Sequence, residues 1–257
     1  MTLFKQNNLK AKRTVHANPI KKISRNYLFG LLGLLCTSTA FAEIPLNAPD
    51  WKEIEQEDNI TIYTRHQEGS SFEAFKAVAI LNAPFTNIMA VMANPLSCLE
   101  WVHGCSKVYG FDENSFIDRY AYSVNDLPWP FKDRDYILKV EITSDPATQE
   151  INMHMVAAND KIPANDDYVR VTIAETSYLI SPVNESQTKV IWLQHTDPGG
   201  VLPGWLVNTL VVDIPVKSLQ ALEKVAHMEK YQNAEIIYDE QGHIQAVKAP
   251  FQTNAGN

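Results

Sequence analysis

Apolar and polar residues alternate along much of this chain with a period of two, which is typical of β-strands that bury one face. The alternation first occurs in "ITIYTRH" and "FEAFKAVAIL", between residues 60 and 81, and it resumes after residue 107. The later segments are "KVYGFD", "FIDRYAYSV", "YILKVEIT", "INMHMVA", "YVRVTIAETSYLISPV" and "KVIWLQHT". Their short polar connections leave no room for the crossover of about a dozen residues that parallel pairing requires. The pattern therefore predicts an antiparallel meander.

Two segments in the N-terminal half have helical patterns. Residues 49–59, "PDWKEIEQEDN", carry acids in their first turns and place Trp51 and Ile54 on one side, which predicts a short amphipathic helix. Pro84 begins a second helix. Pro95 should interrupt it, because proline removes an intrahelical hydrogen bond.

After residue 200 the pattern changes to the helical period. A long helix is predicted from Pro203 to about residue 231, with a kink at Pro215. Antiparallel strands followed by one long helix indicate a single α+β domain, in which the C-terminal helix lies across a curved antiparallel sheet. The tail at 233–257 is expected either as a small hairpin around Gly242 or as a loose extension.

Residues 1–42 have the three parts of a secretory signal peptide. Seven lysines and arginines and no acid precede an apolar core at 28–35, and Ala40 and Ala42 form a small-residue cleavage signal. The apolar core falls well short of the ~20 residues of a membrane span. We therefore expect secretion across the inner membrane, to the periplasm, of a mature protein that begins at residue 43.

The mature chain is strongly acidic. All 30 aspartates and glutamates remain after residue 42, whereas seven of the 22 lysines and arginines do not. Such a charge repels phosphate backbones and anionic bilayers, so it argues against a nucleic acid partner and allows only transient membrane contact. The remaining length suffices for one domain with a sizeable core, and we expect a monomer.

Two cysteines, Cys98 and Cys105, lie beyond the signal segment. A straight helix would hold these positions about 10 Å apart, too far for a disulfide, so pairing requires the helix to end near Trp101 or His103. Gly104 is compatible with such an ending. The sequence leaves open whether the two cysteines pair or remain separate thiols. Their spacing matches no metal-binding motif.

A curved sheet around one kinked helix has a concave face that the helix need not fill. Met153 and Met155 share one face of their predicted strand with Ile151, while Asn152 and His154 point to the other. Methionine adapts its shape to flexible apolar ligands, so the first face is a candidate lining for a cavity. The same alternation also suits an ordinary filled core.

Four motifs occur in a specific order: "PWPFKDRDYIL" before a central strand, "YVRV" at the start of a later one, "YLISP" at a strand end and "DPGGVLPGWLVN" at the entrance to the last helix. In this order the chain resembles the START domain, the steroidogenic-acute-regulatory-related lipid-transfer family, over roughly residues 50–231. The resemblance implies a helix-grip fold, between residues 43 and 232, with an internal hydrophobic tunnel for one lipid. It further implies non-catalytic lipid binding or transfer, for which apolar burial suffices without a cofactor.

The resemblance also implies roles for loop residues. Arg134 and Asp135 would pair and fix the loop before their strand, while Trp129 would cover the tunnel side. We expect this pair to stabilise the protein and not to touch the ligand. Asp197 and Gly200 would belong to the tight turn that leads into the terminal helix near the tunnel mouth.

Other parts of the chain are expected at the ligand. The long polar segment 159–167, with an exposed Ile162, is a candidate lid whose motion would admit and release the lipid. Trp205, Asn208 and Val212, near the beginning of the terminal helix, are predicted to contact the bound molecule.

The class of lipid headgroup stays open. Sterol-binding members resemble one another in an arginine six residues after the Arg-Asp pair, and Val140 stands at that position here. Members that bind phosphocholine present an aromatic cage with an arginine. The candidate residues for such a cage are Tyr120, Tyr122, Trp129, Trp192 and Arg170.

Two other functions remain as alternatives. In an enzyme that acts on a hydrophobic substrate, such as a cyclase or hydrolase, His154 or His195 would be the general base. Asp118, Asp126 or Glu175 would orient it. The sequence has no Gly-x-Ser-x-Gly motif for a serine nucleophile. A ligand-free protein-interaction module would instead fill the concave face with large aromatic side chains.

Overall fold

The computed structural model describes residues 44–250, apart from the side chains of Glu113 and Asn208, so the predicted signal peptide at 1–42 lies outside the described residues. The strands are β1 (Lys52–Glu57), β2 (Ile60–Arg65), β3 (Ala74–Leu81), β4 (Cys105–Ser115), β5 (Asp118–Asn125), β6 (Arg134–Asp145), β7 (Glu150–Ala157), β8 (Val169–Arg170), β9 (Ile173–Asn184), β10 (Gln187–Asp197), β11 (Glu235–Tyr238) and β12 (Ile244–Lys248). The α-helices are α1 (Phe85–Ala93), α2 (Cys98–Trp101), α3 (Gly204–Asn208) and α4 (Ile214–Ala226).

One curved sheet dominates the described part of the chain. Its strands follow the order β1-β2-β3-β10-β9-β7-β6-β5-β4, and neighbours along this path are antiparallel, as predicted. The exception is β8, which runs parallel to β6. We expected one continuous strand from "YVRV" to "YLISP", but residues 171 and 172 interrupt it, and β9 begins at Ile173. β11 and β12 form the hairpin that was one of the two alternatives for the tail.

The inner face of the sheet packs against α1 and α4. Alternate residues of β2 and β3 are buried there, which is the period that a half-buried strand requires. From α4, the buried side chains of Val216, Leu219, Leu222 and Val225 join the same core. Burial of each such side chain contributes about 1.5–3 kcal/mol, so this stripe fixes the helix on the sheet. The α+β helix-grip fold is confirmed.

The helix predicted from Pro203 is divided into parts. α3 is followed by a π-helical turn at Thr209–Asp213, and α4 begins at Ile214. Pro215 lies in the first turn of α4 and cannot donate to the carbonyl four residues earlier, so the wider turn lies where that hydrogen bond is missing. No helix among residues 44–250 is long and apolar enough to cross a membrane.

The helix predicted at 49–59 is wrong. Lys52–Glu57 is an edge strand that pairs with β2 through a tight turn, in which Asp58 has a φ of 50°. Ile54, expected on a buried side, is exposed, as is every side chain of β1. Pairing with β2, and not burial, makes this segment a strand. A local sequence pattern does not reveal which strand will be the partner.

Cys98 and Cys105 form a disulfide with their Cα atoms 6.0 Å apart. Helix α2 ends at Trp101, as pairing required, and Gly104 turns the chain into β4 with a φ of 87°. The bridge therefore ties the first residue of α2 to the first residue of β4.

Candidate functional site

A cavity of about 240 Å³ lies between the inner face of the sheet and the divided C-terminal helix. Met153 and Met155 of β7 are among its lining residues. The helix contributes apolar side chains from α3, from the π-helical turn and from the start of α4. These are Val207, Leu210, Val211 and Ile214. The irregular part of the helix thus forms one wall of the cavity.

Four aromatic side chains, here called the aromatic box, pack together at the cavity: Phe75, Trp101, Tyr178 and Trp192. The ring centroid of Trp192 lies 5.3 Å from that of Phe75, 5.0 Å from that of Tyr178 and 6.2 Å from that of Trp101. Edge-to-face contacts of this kind stabilise aromatic clusters beyond their buried area. Burial raises the pKa of the Tyr178 hydroxyl, so this group is neutral at physiological pH.

A row of polar side chains continues from the aromatic box along β10. The indole Nε1 of Trp192 donates to Oε1 of Gln194 at 3.1 Å, and Nε2 of Gln194 donates to Oγ1 of Thr196 at 3.1 Å. These three residues are two positions apart, so they share one face of the strand, and all line the cavity. The row satisfies the buried indole without introducing a charge.

A buried arginine borders the same cavity, and the sequence analysis missed it. Arg119 of β5 is 8% exposed and is one of the lining residues. Its guanidinium donates to the carbonyl of Phe116 and lies 4.9 Å from the centroid of the Phe116 ring. In register, Arg119 lies opposite Val140, the position where the sequence lacks an arginine. Only the pairing of β5 with β6 brings the two positions together.

The opening of the cavity is marked by its solvent-exposed lining residues, Glu73, His103 and Asp126. The aromatic box and Arg119 have little exposed surface. The lining is therefore polar and partly acidic where it meets solvent, and it includes buried aromatic side chains and two buried arginines, Arg119 and Arg134.

Arg134 is buried near the opening and holds the Asp-Pro-Gly-Gly turn in place. Its Nε and Nη2 donate to the carbonyl groups of Pro198 and Gly199, each at 2.9 Å. Within the turn, Oδ1 of Asp197 accepts the N–H of Gly199 at 2.9 Å. Gly199 and Gly200 have φ values of 69° and 72°, a region that favours glycine. Arg134 thus positions the entrance to the C-terminal helix.

Arg134 and Asp135 do not pair with each other, contrary to the prediction. Adjacent residues of a strand point to opposite faces, and Asp135 points outward. There its carboxylate accepts Nε of Arg170 at 3.1 Å and Nη2 at 2.8 Å. Burial, together with the nearby Asp135 carboxylate, raises the pKa of the Tyr122 hydroxyl to about 12. Tyr122, Asp135 and Arg170 are here called the outer network.

The segment 159–167 does not close the cavity, so the lid prediction is wrong. Nη1 and Nη2 of Arg170 donate to the carbonyl groups of Ile162 and Pro163 at 2.8 and 3.2 Å. Ile162, expected to be exposed, is half-buried and packs on the outer face of the sheet beside Tyr122. No residue of this segment lines the cavity. The outer network holds it on the opposite face of the sheet.

The predicted aromatic cage is not assembled. Tyr120 borders the cavity, but its ring lies 5.7 Å from that of Phe111, which packs with the outer cluster. Tyr122 stacks on Tyr109 with ring centroids 4.9 Å apart, also on the outer face. Of the predicted aromatic residues, Trp192 alone belongs to the box, and Arg170 belongs to the outer network.

Four further predicted ligand contacts lie away from the cavity or cannot be placed. Trp129, expected over the tunnel side, is 93% exposed and does not line the cavity. Trp205 is 58% exposed, and it and Val212 are absent from the lining. The side chain of Asn208 lies outside the described residues.

The histidines considered for catalysis also lie outside the cavity. Nδ1 of His154 is 2.8 Å from a serine hydroxyl of β9, and neither His154 nor His195 is a lining residue. His195 is paired in register with Glu175 on the outer face, and burial lowers its pKa. Asp118 does not line the cavity, and Asp126 does so at the opening. The predicted His-carboxylate pairs therefore do not meet inside it.

Several known proteins are similar to this chain in sequence or in fold. The START domain family model matches residues 36–233. An uncharacterized protein of Pseudomonas aeruginosa is 29% identical over 199 residues, which cover 77% of this chain and 98% of that protein. The phosphatidylcholine transfer protein of Rattus norvegicus is 23% identical over 169 residues, 63% of this chain and 77% of the relative.

Among solved structures, a STAR-related lipid transfer protein fragment from Xanthomonas axonopodis has the same fold. It superposes with a TM-score of 0.63 at 24% identity and covers 70% of this chain and 99% of its own. The described residues and the family match span the same sheet, helices and cavity. The chain therefore belongs to the START domain family.

Proposed function

We propose that this protein binds one lipid or other hydrophobic molecule in the cavity and carries it, without a chemical step. The observation behind the proposal is an apolar and aromatic cavity enclosed between the sheet and the C-terminal helix. Membership in the START domain family and the name of the rat relative, a phosphatidylcholine transfer protein, support the same class of ligand.

The energetics favour binding by burial alone. Each methylene that leaves water contributes about 0.8 kcal/mol, so a chain of about a dozen carbons contributes about 10 kcal/mol. Association costs an estimated 4–15 kcal/mol in lost freedom, of which a single flexible molecule in a preformed cavity incurs the lower part. At the lower cost about 6 kcal/mol remains, which corresponds to a dissociation constant of some tens of micromolar without a cofactor.

The wall formed by α3 and the π-helical turn is the part that would open for ligand entry. Leu210 and Val211 line the cavity and are half-buried, whereas Leu219 and Leu222 of α4 are fully buried. A π-helical turn within an α-helix frequently occurs at functional sites. Displacement of this wall would uncover the cavity while α4 stays in the core.

Exposed apolar side chains beside this wall support transient contact with a membrane. Trp129 and Val201 are 93% and 95% exposed, and Trp205 is 58% exposed. The ring of Phe131 lies 6.5 Å from that of Trp205. These four residues are here called the apolar rim. Tryptophan favours the bilayer interface, and the acidic protein would dock on an uncharged surface in preference to an anionic one.

We further propose that the protein is periplasmic and monomeric. The signal-peptide pattern of residues 1–42 supports secretion across the inner membrane. The disulfide between Cys98 and Cys105 suits an oxidising compartment. The positions of His154 and His195 on the outer face support a non-catalytic role over the enzyme alternative.

Native mass spectrometry of the protein from cells that express the full chain tests the proposal. We expect a mature chain that begins at residue 43 and retains one lipid per protein, released and identified on denaturation. A protein that stays empty, even after incubation with mixed lipid extracts, would overturn the carrier function.

The apolar rim has its own test. Trp129→Ser should slow transfer of a bound lipid between phosphatidylcholine vesicles several-fold and leave equilibrium lipid binding unchanged, because Trp129 does not line the cavity. Tyr238→Ser, at an exposed aromatic residue of the C-terminal hairpin, is the control. Equal transfer rates for both variants and the wild type would remove the rim from the proposal.

A further inference from the structure

We propose that the disulfide between Cys98 and Cys105 regulates release of the bound lipid: the closed bridge retains the lipid, and reduction of the bridge to two thiols speeds its release. This inference rests on the proposed lipid-binding function and adds a regulation of the same site. The residues that the bridge encloses, their contacts with neighbouring elements and the accessibility of the two cysteines support it.

The loop that the bridge closes belongs to the wall of the cavity. Its lining residues are Cys98, Trp101, Val102 and His103. The ring centroid of Trp101, a member of the aromatic box, lies 5.9 Å from that of Tyr178. His103 is exposed and lies at the opening. The loop thus extends from the aromatic box to solvent, so a change in the bridge acts directly on the lining.

Two hydrogen bonds join the end of this loop to other parts of the cavity wall. The backbone N–H of His103 donates to Oγ of Ser218, a fully buried residue of α4, at 2.9 Å. The backbone N–H of Asp126, at the opening, donates to the carbonyl of Gly104 at 2.8 Å. Ser218 lies one turn after the start of α4, close in sequence to the wall that would open for ligand entry. Residues 102–104 therefore contact both the C-terminal helix and the end of β5.

The bridge restricts residues 102–104, which lie between α2 and β4 and form neither helix nor strand. The two cysteines are seven positions apart, so the bridge closes a short ring. A crosslink of this kind removes conformations in which the ring is open. After reduction, hydrogen bonds and packing alone hold these residues, and segments with few buried apolar contacts open locally more often. Such an opening at this side of the cavity would uncover the bound lipid.

The bridge is accessible to a reductant from solvent. Cys98 and Cys105 are half-buried, and the neighbouring side chains of Leu99, Ser106 and Lys107 are exposed. A dithiol would reduce the bridge by thiol–disulfide exchange. Its thiolate attacks one Sγ, which forms a mixed disulfide and frees the other cysteine as a thiolate. The second thiol of the reductant then displaces the first cysteine, so that the reductant leaves as a disulfide and the protein keeps two thiols.

The redox state of the surroundings would thus set the rate of lipid exchange. In an oxidising compartment the bridge persists, and the protein retains its lipid. Contact with a dithiol donor would open the bridge and favour delivery of the lipid. Because thiol–disulfide exchange is reversible, reoxidation would restore retention.

Release of a fluorescent fatty acid tests the inference. The mature protein, residues 43–257, is loaded with cis-parinaric acid and mixed with phosphatidylcholine vesicles that contain a nitroxide-labelled lipid, which quenches the probe on arrival. We expect the protein reduced with dithiothreitol to release the probe several-fold faster than the oxidised protein. Reoxidation should restore the slow rate.

Variants separate the effect of the bridge from a general loss of stability. Cys98→Ser with Cys105→Ser should release the probe as fast as the reduced wild type and should not respond to dithiothreitol. Arg170→Ala is the control, because it destabilises the fold through the outer network on the opposite face of the sheet and should release the probe at the wild-type rate. Ser218→Ala keeps the bridge but removes the contact of the loop with α4, so it should speed release to a smaller extent.

Equal release from the oxidised and the reduced wild type would overturn the inference. Equally fast release from Arg170→Ala and from the double cysteine variant would overturn it as well, because loss of stability would then explain the effect. If circular dichroism shows that the protein unfolds without the bridge, Ser218→Ala decides: release at the wild-type rate would overturn the inference, and faster release would support it. A wild type that takes up no probe would instead contradict the proposed lipid-binding function.

Discussion

The side chains of Arg170 and Arg119 both have little exposed surface, but they lie on opposite faces of one sheet and have different neighbours. Arg170 faces the Asp135 carboxylate and two carbonyl groups of the 159–167 segment. Arg119 borders an open cavity beside Val140. A buried cation with a carboxylate from its own chain stabilises the fold. Arg119 differs from Arg170 in that it lies among the residues that line the cavity.

The aromatic residues on the two faces of the sheet also have different surroundings. On the outer face, Tyr109 stacks on Tyr122, and Phe111 lies beside Tyr120. Ile162 of the 159–167 segment packs on the same cluster. On the inner face, the aromatic box borders the cavity. Both faces carry aromatic side chains, but the 159–167 segment covers those on the outer face, whereas those on the inner face border the cavity.

The largest effect is expected for Arg170→Ala. It leaves the fully buried Asp135 carboxylate without its cation, and loss of one partner of a buried pair costs about 3–5 kcal/mol. Urea unfolding measures the loss, and the lipid affinity of the folded fraction should be unchanged. Arg65→Ala, which breaks the exposed pair with Asp50, should have a much smaller effect. An Arg170→Ala protein as stable as the wild type would remove the structural role of the outer network.

Removal of the disulfide should have the next largest effect. Cys98→Ser with Cys105→Ser opens a short loop, for which the chain-entropy relation gives a loss of about 2–3 kcal/mol. Thermal unfolding of the double variant and of the wild type measures it, and a reducing agent should lower the midpoint of the wild type alone. Equal sensitivity of both proteins to the reducing agent would contradict a bridge between these residues.

Filling the cavity should separate binding from stability. Met155→Trp places a large ring on the inner face and should lower lipid affinity by about tenfold, because the ligand loses buried contacts of about one to two methylenes. Glu141→Trp, on the exposed side of β6, is the matched control and should leave affinity unchanged. Unchanged affinity in Met155→Trp would remove this strand from the binding surface.

The smallest effect is expected from His195. Burial lowers the pKa of His195 in the folded protein, so below pH 6.5 the unfolded chain takes up a proton before the folded one does. His195 therefore contributes stability that is complete above pH 6.5 and decreases as the pH falls toward its folded pKa. A hydrogen bond with the backbone of Phe72 and the nearby Asp197 carboxylate favour the charged form of the imidazole, but burial has the larger effect on its pKa.

Unfolding free energies of the wild type and His195→Gln between pH 7.5 and 5.5 measure this contribution. The wild type should lose more stability than the variant over this range. A difference between the two proteins that does not change with pH would show that His195 titrates alike in the folded and unfolded states.

Periodicity predicted the strands and the C-terminal helix well, because alternation with period two directly reports one buried face. It failed at Lys52–Glu57, where the residues of β1 are exposed on both sides and contain no burial signal. The pattern also predicted one strand where β8 and β9 are separate, because the sequence alone does not show that β8 pairs in parallel with β6.

The sequence predicted some of the residues that line the cavity and missed others. Met153 and Met155 were assigned to the face that lines it, because strand parity decides which side a residue takes. Parity within one strand does not decide which face of the whole sheet is inside. Tyr122 and Arg170 were therefore assigned to the wrong face, and Arg119 was overlooked.

The sequence by itself determined the order of most elements, the family of the chain and the possibility of the Cys98–Cys105 bridge, because these follow from local periodicity, motifs and spacing. Tertiary structure alone decided which residues meet. The register of β5 against β6 places Arg119 opposite Val140, and the pairing of Asp135 with Arg170 holds the 159–167 segment outside. Such contacts join residues that are distant in the chain, and their free energy depends on burial that exists only after the sheet has curved around the helix.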